Sequence, residues 1–205
     1  MIGFYNYTVV LTYMSLVSST IGMFLAITGH FRLALVCLAL SGLLDMFDGK
    51  VARTKKDRTE DEKKFGIQID SLCDVVCFGA FPILLSYCLG MRSPIGIAIL
   101  AFYAIAGVIR LAYYNVMEEK RQEETDENRK YYSGLPITSI AVIMPIVFVI
   151  GIFCPESFVL LLHCTMLIVG MLFIINFNMP KPKNTTLAII ITIVCMALLK
   201  VFHVF

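Results

Sequence analysis

Asp45-Met46-Phe47-Asp48-Gly49-Lys50-Val51-Ala52-Arg53, followed by Gly66-Ile67-Gln68-Ile69-Asp70-Ser71-Leu72-Cys73-Asp74, places four carboxylates inside stretches that otherwise read as lipid-embedded helix. A single Asp near the centre of a spanning helix costs roughly 2.5–3.5 kcal/mol even on lenient insertion scales, and such residues persist when they have a partner or a task. Two pairs of them on neighbouring spans therefore mark a site that requires a cation.

The surroundings establish the solvent. Of 205 residues, 59% are hydrophobic and only 16% charged, a balance unsuited to a water-soluble globule. A bilayer core of about 30 Å takes about 20 apolar residues to cross as helix, and such runs fall near 7–29, 33–53, 67–90, 94–117, 135–153, 157–178 and 185–204. The expectation is an all-α, polytopic membrane helical bundle forming a single domain over 1–205, with six core transmembrane helices and a seventh, extra helix at about 185–204. The first run lacks a basic leader and a small-residue cleavage pattern, so it reads as a span and not as a signal peptide.

Charge sorting gives the orientation. Of the 17 Lys and Arg residues, all but Arg32, Arg92, Arg110 and Lys200 flank or fill the second, fourth and sixth connections. The positive-inside rule then predicts a cytosolic N-terminus, an exterior C-terminus and a cavity open to the cytosol. Acidic residues share the same loops and the net charge is only +2, which argues for solvated connections and against a nucleic-acid role. The seven cysteines are scattered through apolar segments without zinc-site spacing, and their odd number supports no disulfide framework. His30, His163 and His203 are likewise dispersed and read as packing or interfacial residues.

Spacing organises the acids further. If the second span runs inward and the third outward, Asp48 and Asp70 form a shallow layer and Asp45 and Asp74 a deep one, about 5 Å or one helical turn further in. Separations of i to i+3 and i to i+4 put both carboxylates of each helix on one face. Four packed acids are neutralised by protons, by cationic side chains or by metal. Hard oxygen donors suit Mg2+ or Mn2+ better than zinc, and a pair of such ions is the usual arrangement for displacement at phosphorus. Gly49, Ala52 and Gly66 are small enough to let a nucleotide approach the backbone, and Arg53 can clamp phosphate bidentately.

Asp-x-x-Asp-Gly-x-x-Ala-Arg with Gly-x-x-x-Asp-x-x-x-Asp resembles the signature of the CDP-alcohol phosphotransferases, membrane enzymes of phospholipid synthesis. The resemblance implies metal held by Asp45, Asp48, Asp70 and Asp74, CDP-diacylglycerol bound by Asp48, Gly49, Ala52, Arg53 and Gly66, and Asp74 as general base. One departure is the charged stretch Thr54 to Phe65, longer than the family's usual spacing, which reads as a lengthened, solvated cytosolic turn. Three looser stretches, Arg110-Leu111-Ala112-Tyr113-Tyr114-Asn115-Val116, Tyr132-Ser133-Gly134-Leu135-Pro136-Ile137-Thr138 and Met179-Pro180-Lys181-Pro182-Lys183, are similar to the serine-using branch of that family. They imply transfer of a phosphatidyl group from CDP-diacylglycerol to L-serine with release of CMP, and headgroup contacts from Arg110 and Asn115. By the same resemblance the protein would be a homodimer in the cell membrane of a prokaryote. Alternatives are another acceptor (glycerol 3-phosphate, inositol or inositol phosphate) or, from a different class, a cation transporter or channel whose ion path is lined by the paired acids. The transporter reading leaves Gly49, Ala52 and Arg53 without a reason for their spacing.

Overall fold

The computed structural model describes residues 3, 7–52, 54, 55, 57, 59–124, 131–180 and 184–203. Arg53, Lys56, Arg58, Arg129, Lys130, Lys181 and Lys183, all assigned to one side of the membrane on charge grounds, lie outside the described residues.

A short 3-10 turn leads into α1 (Val10–Ile27), which turns sharply into α2 (Phe31–Ala52). The turn needs Gly29, whose φ of +82° lies in the left-handed region, and it closes with His30 N–H donating to the Leu25 carbonyl at 2.8 Å. α1 and α2 pack along a seam of small and hydroxylated residues. Ser15 and Ser41 each donate to the other's main-chain carbonyl at 3.1 and 3.0 Å, Ser19 donates to the Ser41 hydroxyl at 2.8 Å, and Ser18 to the Cys37 carbonyl at 3.0 Å. A Cβ at Gly22 would collide with Phe81 and Cys37, so the seam also depends on an absent side chain. Lipid tails provide no hydrophobic drive between helices, and close approach with interhelical hydrogen bonds replaces it.

The next span is continuous from Glu60 to Cys88. It comprises α3 (Glu60–Asp74), a π-helical segment at Val75–Ala80 and α4 (Phe81–Cys88). Its start is fixed by a capping box: Thr59 Oγ1 accepts from Glu62 N–H at 3.2 Å, and Glu62 accepts from Thr59 N–H at 3.0 Å. The charged stretch expected to be a solvated turn is thus helical from Glu60 onward, because the Thr59/Glu62 pair starts a helix well before the apolar run; Lys55 adds a 2.7 Å ion pair to Glu62.

α5 (Pro94–Glu124) extends past the apolar run, and α6 (Ile140–Phe153), α7 (Phe158–Ile174) and α8 (Asn184–His203) complete the bundle. Short strands β1 (Tyr131–Ser133) and β2 (Asn178–Pro180) pair antiparallel, Tyr132 opposite Met179. The all-helical expectation omitted this ribbon, since strands of three residues carry no periodicity to read. Among the described residues, five helical segments are long and apolar enough to cross a membrane, and the apolar helix Ile137–Phe153 is shorter. α2 is interrupted by Arg32, Asp45, Asp48 and Lys50. Phe78, Phe81, Leu85, Tyr103, Met144 and Met166 are fully buried, whereas Phe24, Ile95 and Leu160 are among many large apolar side chains facing outward. A soluble surface avoids such contiguous exposure, and a lipid-facing one requires it. The protein is an integral membrane protein with an all-α polytopic bundle. α8 is peripheral: it packs on α6 and α2, buries Val201 and sets Lys200 over the Phe153 ring at 4.9 Å.

Candidate metal centre and active site

α2 and α3 bring the four acids together in the expected layers. Asp45 is within hydrogen-bonding reach of Asp74, and Asp48 of Asp70. One carboxylate oxygen from each of Asp45, Asp70 and Asp74 lies within 4.8 Å of the others. At about 4 Å two like unit charges repel by roughly 4 kcal/mol in an effective dielectric of 20, so the cluster is stable only with protons or cations among the oxygens.

The donor set fits a hard divalent ion. Asp70 Oδ1 is buried without a hydrogen-bond partner among the described residues, an acceptor left open on a member of the cluster. The ligand atoms are all carboxylate oxygens, as Mg2+ and Mn2+ prefer. Cys73 and Cys77 occupy the buried core of the same span, in line with the packing role expected of them. Asp48, only 8% exposed, accepts a 3.0 Å hydrogen bond from Thr12 Oγ1 of α1.

Thr12 is a site residue that reading the motif misses. Its signal is present in the first span, where Thr12, Ser15, Ser19, Gly22 and Ala26 recur at helical spacing as a small, polar stripe, all buried. Such a stripe marks a helix-facing surface in a membrane, and its innermost hydroxyl at the acid end reaches Asp48.

Around the acids, Gly49 is exposed and a Cβ there would meet nothing within 4 Å, so open space lies beside Asp48. Ala52 ends α2, Gly66 is half-buried on α3, and Arg53 is outside the described residues. Asn115 is drawn to the site: Ser71 Oγ, next to Asp70, donates to its Oδ1 at 2.6 Å. Gln68 and Glu119 join the same two helices one turn further out, at 3.3 Å. Arg110, 7% exposed, turns instead toward the loop after β1, donating from Nη2 to the Gly134 carbonyl at 3.4 Å.

That loop joins the described parts of the three looser stretches into one unit. Gly134 N–H donates to the Phe177 carbonyl at 2.6 Å, Leu135 N–H to the Leu172 carbonyl at 3.3 Å, and β1 pairs with β2. Gly134 has φ +77°, and a Cβ on it would come within 2.9 Å of Arg110 Nη1 and 3.0 Å of the Ile175 carbonyl oxygen. Only glycine satisfies both demands.

This multi-span bundle holds paired carboxylates on two helices with a glycine-opened space beside them, and its residues 5–175 match the CDP-alcohol phosphatidyltransferase family model; the chain belongs to that family. α8 lies beyond the matched region. Among curated relatives, the CDP-diacylglycerol–serine O-phosphatidyltransferase of Helicobacter pylori is 38% identical over 125 residues, 60% of this chain and 48% of the relative. The Saccharomyces cerevisiae protein of the same name is 30% identical over 109 residues, 52% of this chain and 38% of the relative. Archaetidylserine synthase of Methanothermobacter thermautotrophicus is 29% identical over 165 residues, 80% of this chain and 65% of the relative. The match to the Helicobacter pylori enzyme spans about half of its length.

Proposed function

We propose that the protein transfers a phosphatidyl group from CDP-diacylglycerol to L-serine, giving phosphatidylserine and CMP. The observation that carries this reading is the pairing of Asp45 with Asp74 and Asp48 with Asp70, in which Asp70 Oδ1 is buried without a hydrogen-bond partner among the described residues. The names of the relatives differ in lipid and share serine, which supports the choice of acceptor.

Asp45, Asp48, Asp70 and Asp74 hold the metal, two ions of Mg2+ or Mn2+. When bound, the ions supply positive charge to the diphosphate and the departing phosphate. Asp48, Gly49, Ala52, Arg53 and Gly66 form the nucleotide side of the pocket, where the space at Gly49 admits the CDP moiety. Asp74 is the general base. It takes the proton of the serine hydroxyl as that oxygen bonds to the phosphorus bearing diacylglycerol, and the bond from that phosphorus to the CMP oxygen breaks. A carboxylate is a weak base for an alcohol, so orientation contributes much of the rate. Asn115, fixed beside Asp70 by Ser71, orients the amino acid. Arg110 of α5, bonded to the Gly134 carbonyl, supplies the positive charge for the serine carboxylate.

The pocket opens to the cytosol of a prokaryotic cell, where serine and CMP are soluble, and acyl chains lie between spans; the N-terminus is cytosolic, the C-terminus outside, and the enzyme is a homodimer. The test is CMP release by purified protein given CDP-diacylglycerol and Mn2+ or Mg2+, with serine, inositol or glycerol 3-phosphate supplied singly and lipid products weighed by mass spectrometry. Serine-dependent CMP with phosphatidylserine is expected. Product with another alcohol alone overturns the acceptor and keeps the chemistry; no release with any acceptor overturns the reading.

A further inference from the structure

Pro82, in the first turn of α4, has no amide hydrogen to offer the carbonyl of Phe78 four residues earlier. Inside a bilayer an orphan carbonyl has no water to turn to, so it must find a partner within the protein. Tyr103 of α5 is that partner. Its hydroxyl donates to the Phe78 carbonyl oxygen at 2.7 Å, its side chain is fully buried, and its ring is held at 5.3 Å against Phe173 of α7.

The turn completed in this way is the π-helical segment Val75–Ala80, in which Phe81 N–H reaches back five residues to the Val76 carbonyl. The segment begins immediately after Asp74. A π turn changes the helical register within one turn and is poorer in backbone packing than α-helix, so it survives where neighbours hold it. Here it links Asp74, which reaches Asp45 on α2, to Phe81 and Leu85 in the core.

We propose that Tyr103 is a positioning residue for Asp74: its hydroxyl replaces the amide that Pro82 lacks, locks the π turn and so holds the Asp74 carboxylate in the metal-binding cluster. This rests on the metal-site reading above. The chemistry needs a hydroxyl and not merely a ring, because the group to be satisfied is a buried carbonyl.

The test uses purified full-length protein, stripped of metal and titrated with Mn2+ by electron paramagnetic resonance, alongside turnover. In Tyr103→Phe the half-saturating Mn2+ concentration should rise about tenfold and kcat fall about tenfold, with KM for CDP-diacylglycerol within about twofold, as expected when a transition-state arrangement and not substrate binding is lost. Phe173→Leu disturbs the same packing and keeps the hydroxyl, so it should lower the melting temperature without weakening Mn2+ binding. Adding Pro82→Ala to Tyr103→Phe returns an amide to the Phe78 carbonyl and should recover most of the lost Mn2+ affinity. Unchanged Mn2+ binding in Tyr103→Phe, equal loss in Phe173→Leu, or absence of rescue by Pro82→Ala would each overturn the proposal. Wild-type protein that binds Mn2+ but makes no phosphatidylserine defeats the functional reading and leaves the Tyr103 result standing; wild-type protein that takes up no Mn2+ defeats both.

Discussion

Ser71 donates a 2.6 Å hydrogen bond to Asn115, and through it α5 is fastened to the acid-bearing helix one residue from Asp70. The bond orients the Asn115 amide with its oxygen engaged, which directs the NH2 elsewhere. Asn115→Ala should therefore raise KM for serine about tenfold, equivalent to about 1.4 kcal/mol, while leaving KM for CDP-diacylglycerol nearly unchanged. Ser71→Ala should cost about 1 kcal/mol of stability with a smaller kinetic effect. Steady-state kinetics with each substrate varied in turn separates the two.

Metal should stabilise the fold as well as support turnover. Ligand present at 100 times its dissociation constant stabilises by about 2.7 kcal/mol, so saturating Mn2+ should raise the melting temperature of the wild-type protein in detergent, and a chelator should reverse this. Asp45→Asn, Asp70→Asn and Asp74→Asn each remove one member of a repelling cluster. Without metal they should melt at or above the wild-type temperature, show no Mn2+ shift, and lose at least about a hundredfold in turnover. Full activity in all three variants would sink the metal centre.

Two glycines should respond in opposite ways to alanine. At Gly49 a Cβ meets nothing within 4 Å, so Gly49→Ala should fold and melt like wild type yet raise KM for CDP-diacylglycerol. At Gly134 the backbone is left-handed and a Cβ would press on Arg110 and the Ile175 carbonyl; strain of this kind costs on the order of 1–3 kcal/mol, and the melting temperature should drop. A melting and kinetic comparison of the pair distinguishes substrate space from structural space.

Thr12→Val keeps the shape of the side chain and removes the donor to buried Asp48. An acceptor left unsatisfied in such a place costs about 1–3 kcal/mol. Turnover should fall by about tenfold or more, and Thr12→Ser should restore most of it. Equal activity in Thr12→Val and wild type would show that the hydroxyl is dispensable.

The acid layers were legible because antiparallel helices convert sequence spacing into depth, and Asp45 with Asp74 and Asp48 with Asp70 follow from that arithmetic. All seven apolar runs correspond to helices, since length and composition suffice in lipid. What escaped the sequence depends on neighbours distant in the chain. Thr12 meets Asp48 across 36 positions, Tyr103 meets Phe78 across 25, and neither pairing leaves a local pattern. Arg110 and Asn115 each read as a headgroup contact, and five positions on a helix turn them to different partners, Gly134 and Ser71. The early start of α3 was written in Thr59 and Glu62, but lay hidden inside a run of charges that resembled a loop.

The hydroxyl seam between α1 and α2 also sets a vertical ruler. Each of its hydrogen bonds joins one particular pair, Ser15 with Ser41, Ser19 with Ser41, Ser18 with Cys37 and Thr12 with Asp48. Sliding one helix past the other by a single turn, about 5.4 Å, would break all of them together, so this hairpin cannot shear to match a thinner or thicker bilayer. Tilt and adjustment of hydrophobic length must then be taken up by the looser periphery, above all α8, and Asp45 and Asp48 keep their position relative to α1 whatever the thickness of the surrounding bilayer.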